Sequence, residues 1–126
     1  MVQVGTLLTV TDNSGARKAQ CIGIYNGFQR RYAGIGDIIL VSIKRLRAKR
    51  RDVSKVKKGQ IFKALIIRTK SLYLSYNSTY HFNDNAIVLL NQKNKSLGTR
   101  IFGSIPQSLR YTKFLKITSL AFGTVN

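Results

Sequence analysis

Short runs rich in Val, Ile, Leu, Thr, Tyr and Phe recur about every ten residues over the first part of the chain, each closed by Gly, Asn, Ser or Asp. That rhythm belongs to a small closed or sandwiched sheet, so the fold class is mainly β. Predicted strands cover 6–10, 20–25, 38–44, 61–68, 79–82 and 86–90, with turns at 13–15 and 34–37. After Gly103 the pattern changes. Pro106 is followed by Leu109, Phe114, Leu115 and Ile117 near helical spacing, which predicts one or two short helices within 104–121. A chain of 126 residues without a linker or internal repeat is read as one domain, 1–126.

Charge decides the partner class. Twenty-two Lys and Arg face four acids, all Asp, for a formal +18, which predicts a polyanionic partner. The same imbalance leaves few general acids, bases or hard-metal ligands, so no catalytic residue, metal site or cofactor is assigned. Cys21 is alone, which excludes an intramolecular disulfide and a Cys-rich zinc site and fits a reducing compartment. No apolar run approaches the roughly 18 residues of a membrane span. The opening Met-Val-Gln-Val lacks the look of a secretory signal or an organelle presequence, and a soluble chain is expected.

The densest feature is 44–58, where Lys44, Arg45, Arg47, Lys49, Arg50, Arg51, Lys55, Lys57 and Lys58 oppose only Asp52. As an isolated loop such a block repels itself and stays extended until a partner supplies negative charge. Duplex or folded RNA does so, since arginine forks grip phosphate bidentately and each neutralised phosphate releases counterions. The alternative is a solvated hairpin tip or a localisation signal. Arg30, Arg31 and Tyr32 add a second cluster, either a stacking ring beside two cations or a Tyr packed on the sheet with its arginines reaching outward.

Other residues read more plainly. Cys21, in a strand-like run, is a small buried hydrophobe. His81, between Tyr80 and Phe82, is a strand or hairpin residue or an RNA-stacking ring. Asp12 closes an Asx-type turn in which Gly15 takes positive φ, and Asp37 starts a strand. In Gly98–Gly103, two glycines bracket Thr99 and Arg100, which sit either on a presented turn or on a plain loop.

Six blocks then carry a resemblance: TVTDNSGARKAQCI at 9–22, RRYAGIGDII at 30–39, KVKKGQIFKALIIRTK at 55–70, NAIVLLN at 85–91, GTRIFG at 98–103 and LRYTKFLKITSLA at 109–121. In order and spread over most of the chain, they resemble the universal large-subunit ribosomal protein fourteen family in its bacterial and organellar form. The resemblance implies a five-stranded β-barrel with projecting hairpins and a short helical C-terminal part. It also implies a non-enzymatic structural constituent seated on large-subunit rRNA where the small subunit meets it, contributing to intersubunit bridges with small-subunit rRNA. Implied neighbours are the large-subunit proteins numbered three and nineteen in the bacterial scheme, and a ribosome-silencing factor. By match to the motifs, Thr99, Arg100 and Ser119 belong to the bridge and partner face. Arg17, Lys18, Arg30, Arg31 and the cations of 44–58 belong to RNA contact.

The chain departs from the family pattern in three places. The 44–59 stretch is longer and more basic than the usual bacterial connection, which implies extra or shifted RNA contact. Residues 71–80 are uncharged and aromatic where bacterial members carry cations and an Asp-Gly turn, with Tyr76-Asn77 at the turn, so this hairpin is expected to touch a protein rather than RNA. Phe122-Gly-Thr replaces the usual proline after SLA. Richness in Ile, Lys, Asn, Tyr and Phe, with no presequence evident, predicts an organelle-encoded protein of a mitochondrial ribosome, with a plastid or bacterial cytoplasm as the alternative.

Overall fold

In the computed structural model, which describes residues 1–25, 27–48, 54–74 and 79–125, the elements run β1 (Leu7–Val10), β2 (Ala16–Ile24), β3 (Ile38–Leu46), β4 (Ile61–Arg68), β5 (Tyr73–Leu74), β6 (Thr79–Tyr80), β7 (Ala86–Leu90), β8 (Ile101–Pro106), a 3₁₀ helix Gln107–Tyr111, α1 (Leu115–Thr118) and β9 (Ala121–Val125). Five strands close a barrel in the order β1-β2-β3-β4-β7. All neighbours are antiparallel except β1 and β7, whose parallel pairing of Thr9 with Ala86 and Val10 with Ile87 completes the ring.

Strand alternation explains what fills it. Leu8 and Val10, Ala19 and Cys21, Ile39, Val41 and Ile43, Ala64 and Ile66, and Ile87 and Leu89 point inward as one apolar cluster. Cys21 is fully buried there, with burial raising its thiol pKa, as a small hydrophobe should be. On β4 and β7 the opposite positions are apolar too. Leu65, Ile67, Ala86, Val88 and Leu90 form a second cluster outside the barrel, covered by Ile101, Ile105, Leu109, Phe114 and Ile117 of the C-terminal segment. Strands buried on both faces read as continuous apolar runs, and LeuIleIle and AlaIleValLeuLeu are such runs.

The C-terminal region differs from its expectation. The predicted helical stretch 104–121 contains two short helical turns, but its first residues end β8 and its last residue begins β9. β8 and β9 pair in parallel, Ile101 with Ala121 and Ile105 with Thr124, so the helical turns form the crossover of a small two-stranded ribbon. Gly103 therefore lies inside β8 at φ +84 rather than closing a turn. Buried Arg68 fills the space above it: its Nη1 donates to the carbonyls of Phe102 (3.3 Å) and Ser104 (3.1 Å), and its Nε lies 3.1 Å from Asp84 Oδ1. A Cβ at Gly103 would collide with that guanidinium.

All six predicted strands occur. β2 starts four residues earlier than its predicted start at Gln20, and β3 runs two residues further than predicted, because cations on an outward face do not interrupt a ladder. The 71–80 stretch forms the β5–β6 pair, where Tyr73, Tyr80 and Phe82 stack in sequence with centroid separations of 6.0 and 6.3 Å. Its Tyr76 and Asn77 lie outside the described residues.

Candidate nucleic-acid interface

β2 and β3 have an apolar inner face and a cationic outer one. Lys18 stands opposite Arg45 in their register, beside bulges, and Arg17 and Lys44 are exposed nearby. Like charges across a ladder destabilise it unless an anion lies between them. A cleft of about 680 Å³ opens there, lined by Arg17, Lys44, Arg45, Leu46, Ala48 and Lys58. Arg17, Lys44, Arg45 and Lys58 make its described lining cationic, and no acid is among the described lining residues.

At its described ends the basic block is not an isolated loop: Lys44 and Arg45 belong to β3, and Arg47 and Lys55 are held to the 12–15 turn. The Arg47 N–H donates to the Gly15 carbonyl (2.9 Å), and the Lys55 N–H donates to that of Ser14 (3.1 Å). Val56 is buried, Lys55 Nζ reaches the Leu97 carbonyl, and Lys57 with Gln60 shapes the return into β4. Gly15, at φ +104, faces the Cβ of Ser54 so closely that no other residue fits. Lys49, Arg50 and Arg51 lie outside the described residues. Arg47 is not a solvent cation: its guanidinium lies over the Phe102 ring, 5.3 Å from the centroid. Lys57 and Lys58 are exposed.

One motif organises both predicted sites. Asp12 is fully buried; one carboxylate oxygen accepts the Ser14 N–H and hydroxyl, the other the Leu89 N–H at 3.2 Å. Burial raises its pKa, and these hydrogen bonds together with the Arg47 charge oppose the rise without cancelling it. Next to it, Asn13 Oδ1 accepts the N–H groups of Thr99 (2.7 Å) and Arg100 (3.3 Å), and its Nδ2 donates to Thr99 Oγ1 (2.8 Å). The Thr99–Arg100 turn is thus held and both residues are exposed. Ser119 caps α1, also exposed, two residues before Ala121. Because Ala121 pairs with Ile101, Arg100 and Ser119 lie at the same end of the β8–β9 ribbon.

In the second cluster, Arg30 Nη2 lies 2.6 Å from Asp37 Oδ2, which also accepts the Gly34 N–H. Arg31 is exposed, and Tyr32 is 48% exposed. Each described carboxylate is engaged inside the molecule: Asp12 with its turn, Asp37 with Arg30, Asp84 with Arg68. Among the described residues no acid is left to screen the cationic face, and no cluster of metal-ligating side chains forms. No helix of the described residues is long and apolar enough to cross a membrane.

Two residues escaped the sequence reading. Phe28, in the loop before Arg30, is 93% exposed. Lys63, an outward position on β4, lies 5.4 Å from the Tyr25 ring centroid. Period-two counting along 61–68 could have found Lys63; nothing in a lone Phe signals exposure.

A model of the ribosomal protein L14p/L23e family matches residues 1–125. The chain belongs to that family. It is accordingly a structural, non-enzymatic component of the large ribosomal subunit, at work in translation among rRNA and other ribosomal proteins.

Proposed function

We propose that this L14p/L23e chain, acting as one domain, grips large-subunit rRNA through the outer face of β2 and β3. The observation that carries the reading is the cleft of Arg17, Lys44, Arg45 and Lys58, with Lys18 set opposite Arg45 and no acid among its described lining residues. Backbone phosphates relieve that repulsion and release counterions, so affinity is electrostatic and sequence reading secondary. The exposed Lys55 and Lys57 add to this contact; Lys49, Arg50 and Arg51, outside the described residues, are assigned to it from their place in the basic block alone, and Arg30, Arg31 and Tyr32 form a second contact.

At the end of the β8–β9 ribbon, Thr99, Arg100 and Ser119 present the face for intersubunit bridges and for a silencing factor. Asn13 supports this by fixing the backbone at Thr99 and Arg100, so that the side chains project from a stiff turn. Neighbouring contacts are with the large-subunit proteins numbered three and nineteen, and the ribosome is mitochondrial.

Sedimentation tests the central claim. The chain should cofractionate with large subunits and remain there after a high-salt wash; recovery only in the free pool refutes it. Replacing Arg100 by Ala should impair subunit joining or silencing-factor docking, and unchanged behaviour in both assays removes Arg100 from that face.

A further inference from the structure

The loop between β2 and β3 carries an exposed aromatic ring that no intramolecular contact explains. Phe28 is 93% exposed, more than any other large apolar side chain among the described residues. Single exposed hydrophobes are common on protein surfaces, so exposure alone decides nothing. The setting is what distinguishes this one. The loop is braced from behind: Arg30 Nε donates to the Tyr32 carbonyl (3.0 Å), its Nη2 binds Asp37, and Asp37 accepts the Gly34 N–H at 2.7 Å. The Arg30 stem also lies against Gly27, where a Cβ would come within 3.0 Å, and Gln29 holds a left-handed φ of +52. Phe28 is therefore presented on a folded-back loop rather than on a slack one. Exposed Arg31 and half-exposed Tyr32 follow it, while Asp37, the one acid near it among the described residues, is already bound to Arg30.

We infer that Phe28 is a base-stacking residue: its ring takes the face of an unpaired nucleobase while Arg31 meets the adjoining phosphate. This rests on the RNA-binding reading above and adds a non-electrostatic contact to it. An aromatic plane next to cations is what single-stranded RNA segments offer their bases to, because every base has a π face and every linkage a charge. A protein groove would also accept Phe, but a loop whose one acid is neutralised and whose neighbours are cationic complements a polyanion better.

The chain contains no Trp, so Phe28→Trp installs a unique fluorophore at the tip. With the full-length chain and a transcript of the large-subunit rRNA from the same genome, the emission of F28W should be quenched on binding. Phe28→Ala should weaken binding about tenfold, within the range of one base–aromatic stack, and leave the salt slope unchanged. Phe28→Tyr should retain wild-type affinity and Phe28→Leu should not, since stacking needs a ring and a hydrophobic pocket needs only an apolar side chain. Full affinity in F28L, or unquenched emission from bound F28W, overturns the inference. So does an F28A chain that binds as wild type does, while the RNA reading survives because the parent still binds. A wild-type chain that fails to bind the transcript at low salt removes both.

Discussion

The barrel has two outer sides with opposite chemistry. Outside β4 and β7 the residues are Leu65, Ile67, Ala86, Val88 and Leu90, and the chain covers them with its own C-terminal segment. Outside β2 and β3 they include Arg17, Lys18, Lys44 and Arg45, and Ala48 and Lys58 join them in lining the cleft. Apolar surface can be satisfied within the molecule by adding a layer. Cationic surface cannot be satisfied by a chain with four Asp, three of which are engaged elsewhere. The difference divides the two sides: the covered one stabilises the scaffold, and on the proposed reading the cationic one keeps an electrostatic repulsion that a polyanion relieves.

That contrast predicts that substitutions on the two sides act on different measurements. Converting Arg17, Lys44, Arg45 and Lys58 to Gln should lower rRNA affinity by on the order of 10² to 10³ and reduce the salt slope by about three to four, as four lost phosphate contacts require. Thermal stability should stay level or rise as like-charge repulsion falls. Equal RNA affinity in the quadruple variant would place the interface elsewhere. On the covered side, Leu109→Ala should cost about 2–4 kcal/mol in urea unfolding, because Leu109 is buried against the outer cluster. Its RNA affinity should be unchanged in conditions where it remains folded. A Leu109 variant as stable as the parent would mean that the C-terminal layer is not part of the cooperative core.

How much of this was legible follows from which physics each element obeys. Strands β4 and β7 were readable to the residue because apolar runs bounded by polar turns leave no other interpretation. Their being buried on both faces was also written there, since Leu65 and Ile67 interrupt the alternation that a half-exposed strand would show. β8 and β9 were not legible. Parallel pairing across a crossover is decided by tertiary contact, and Gly103 reads as a turn until Arg68 is seen above it. The basic block announced its charge, whereas the division of labour within it did not: Arg45 faces the cleft, while Arg47, two residues on, lies over Phe102. Composition counts cations but not the direction of each guanidinium.

Arg68 and Gly103 sharpen the comparison where charge is used internally. A buried arginine bound to two carbonyls and Asp84 fastens β8 to the barrel, so its charge serves the covered side. Gly103→Ala meets both the guanidinium and a left-handed φ, and should destabilise by about 2 kcal/mol or more. Amide exchange would locate the effect, with protection lost in the ribbon and retained in the barrel strands. Uniform loss would show that ribbon and barrel unfold as one unit.

The smallest effect concerns Asp12, which stands between the two sides. Its buried carboxylate fixes Ser14 and Leu89, and the turn it shapes holds Arg47 and Lys55. Burial raises its folded-state pKa above the unfolded value. Between those two values the native state holds a proton that the unfolded state has released, so Asp12 contributes a stability that declines as pH rises through that window and is level outside it. In Asp12→Asn the titration is gone, and one side of the amide presents N–H to a buried donor, a cost of about 1–3 kcal/mol. The difference between parent and variant in urea unfolding, followed from about pH 3 to 7 across the ordinary carboxylate range, isolates this one group from the other carboxylates. The parent's advantage should shrink as pH rises. An advantage that grows with pH would mean that the Arg47 charge and the three donors outweigh desolvation, and Asp12 would then belong with the carboxylates whose ionisation stabilises this protein.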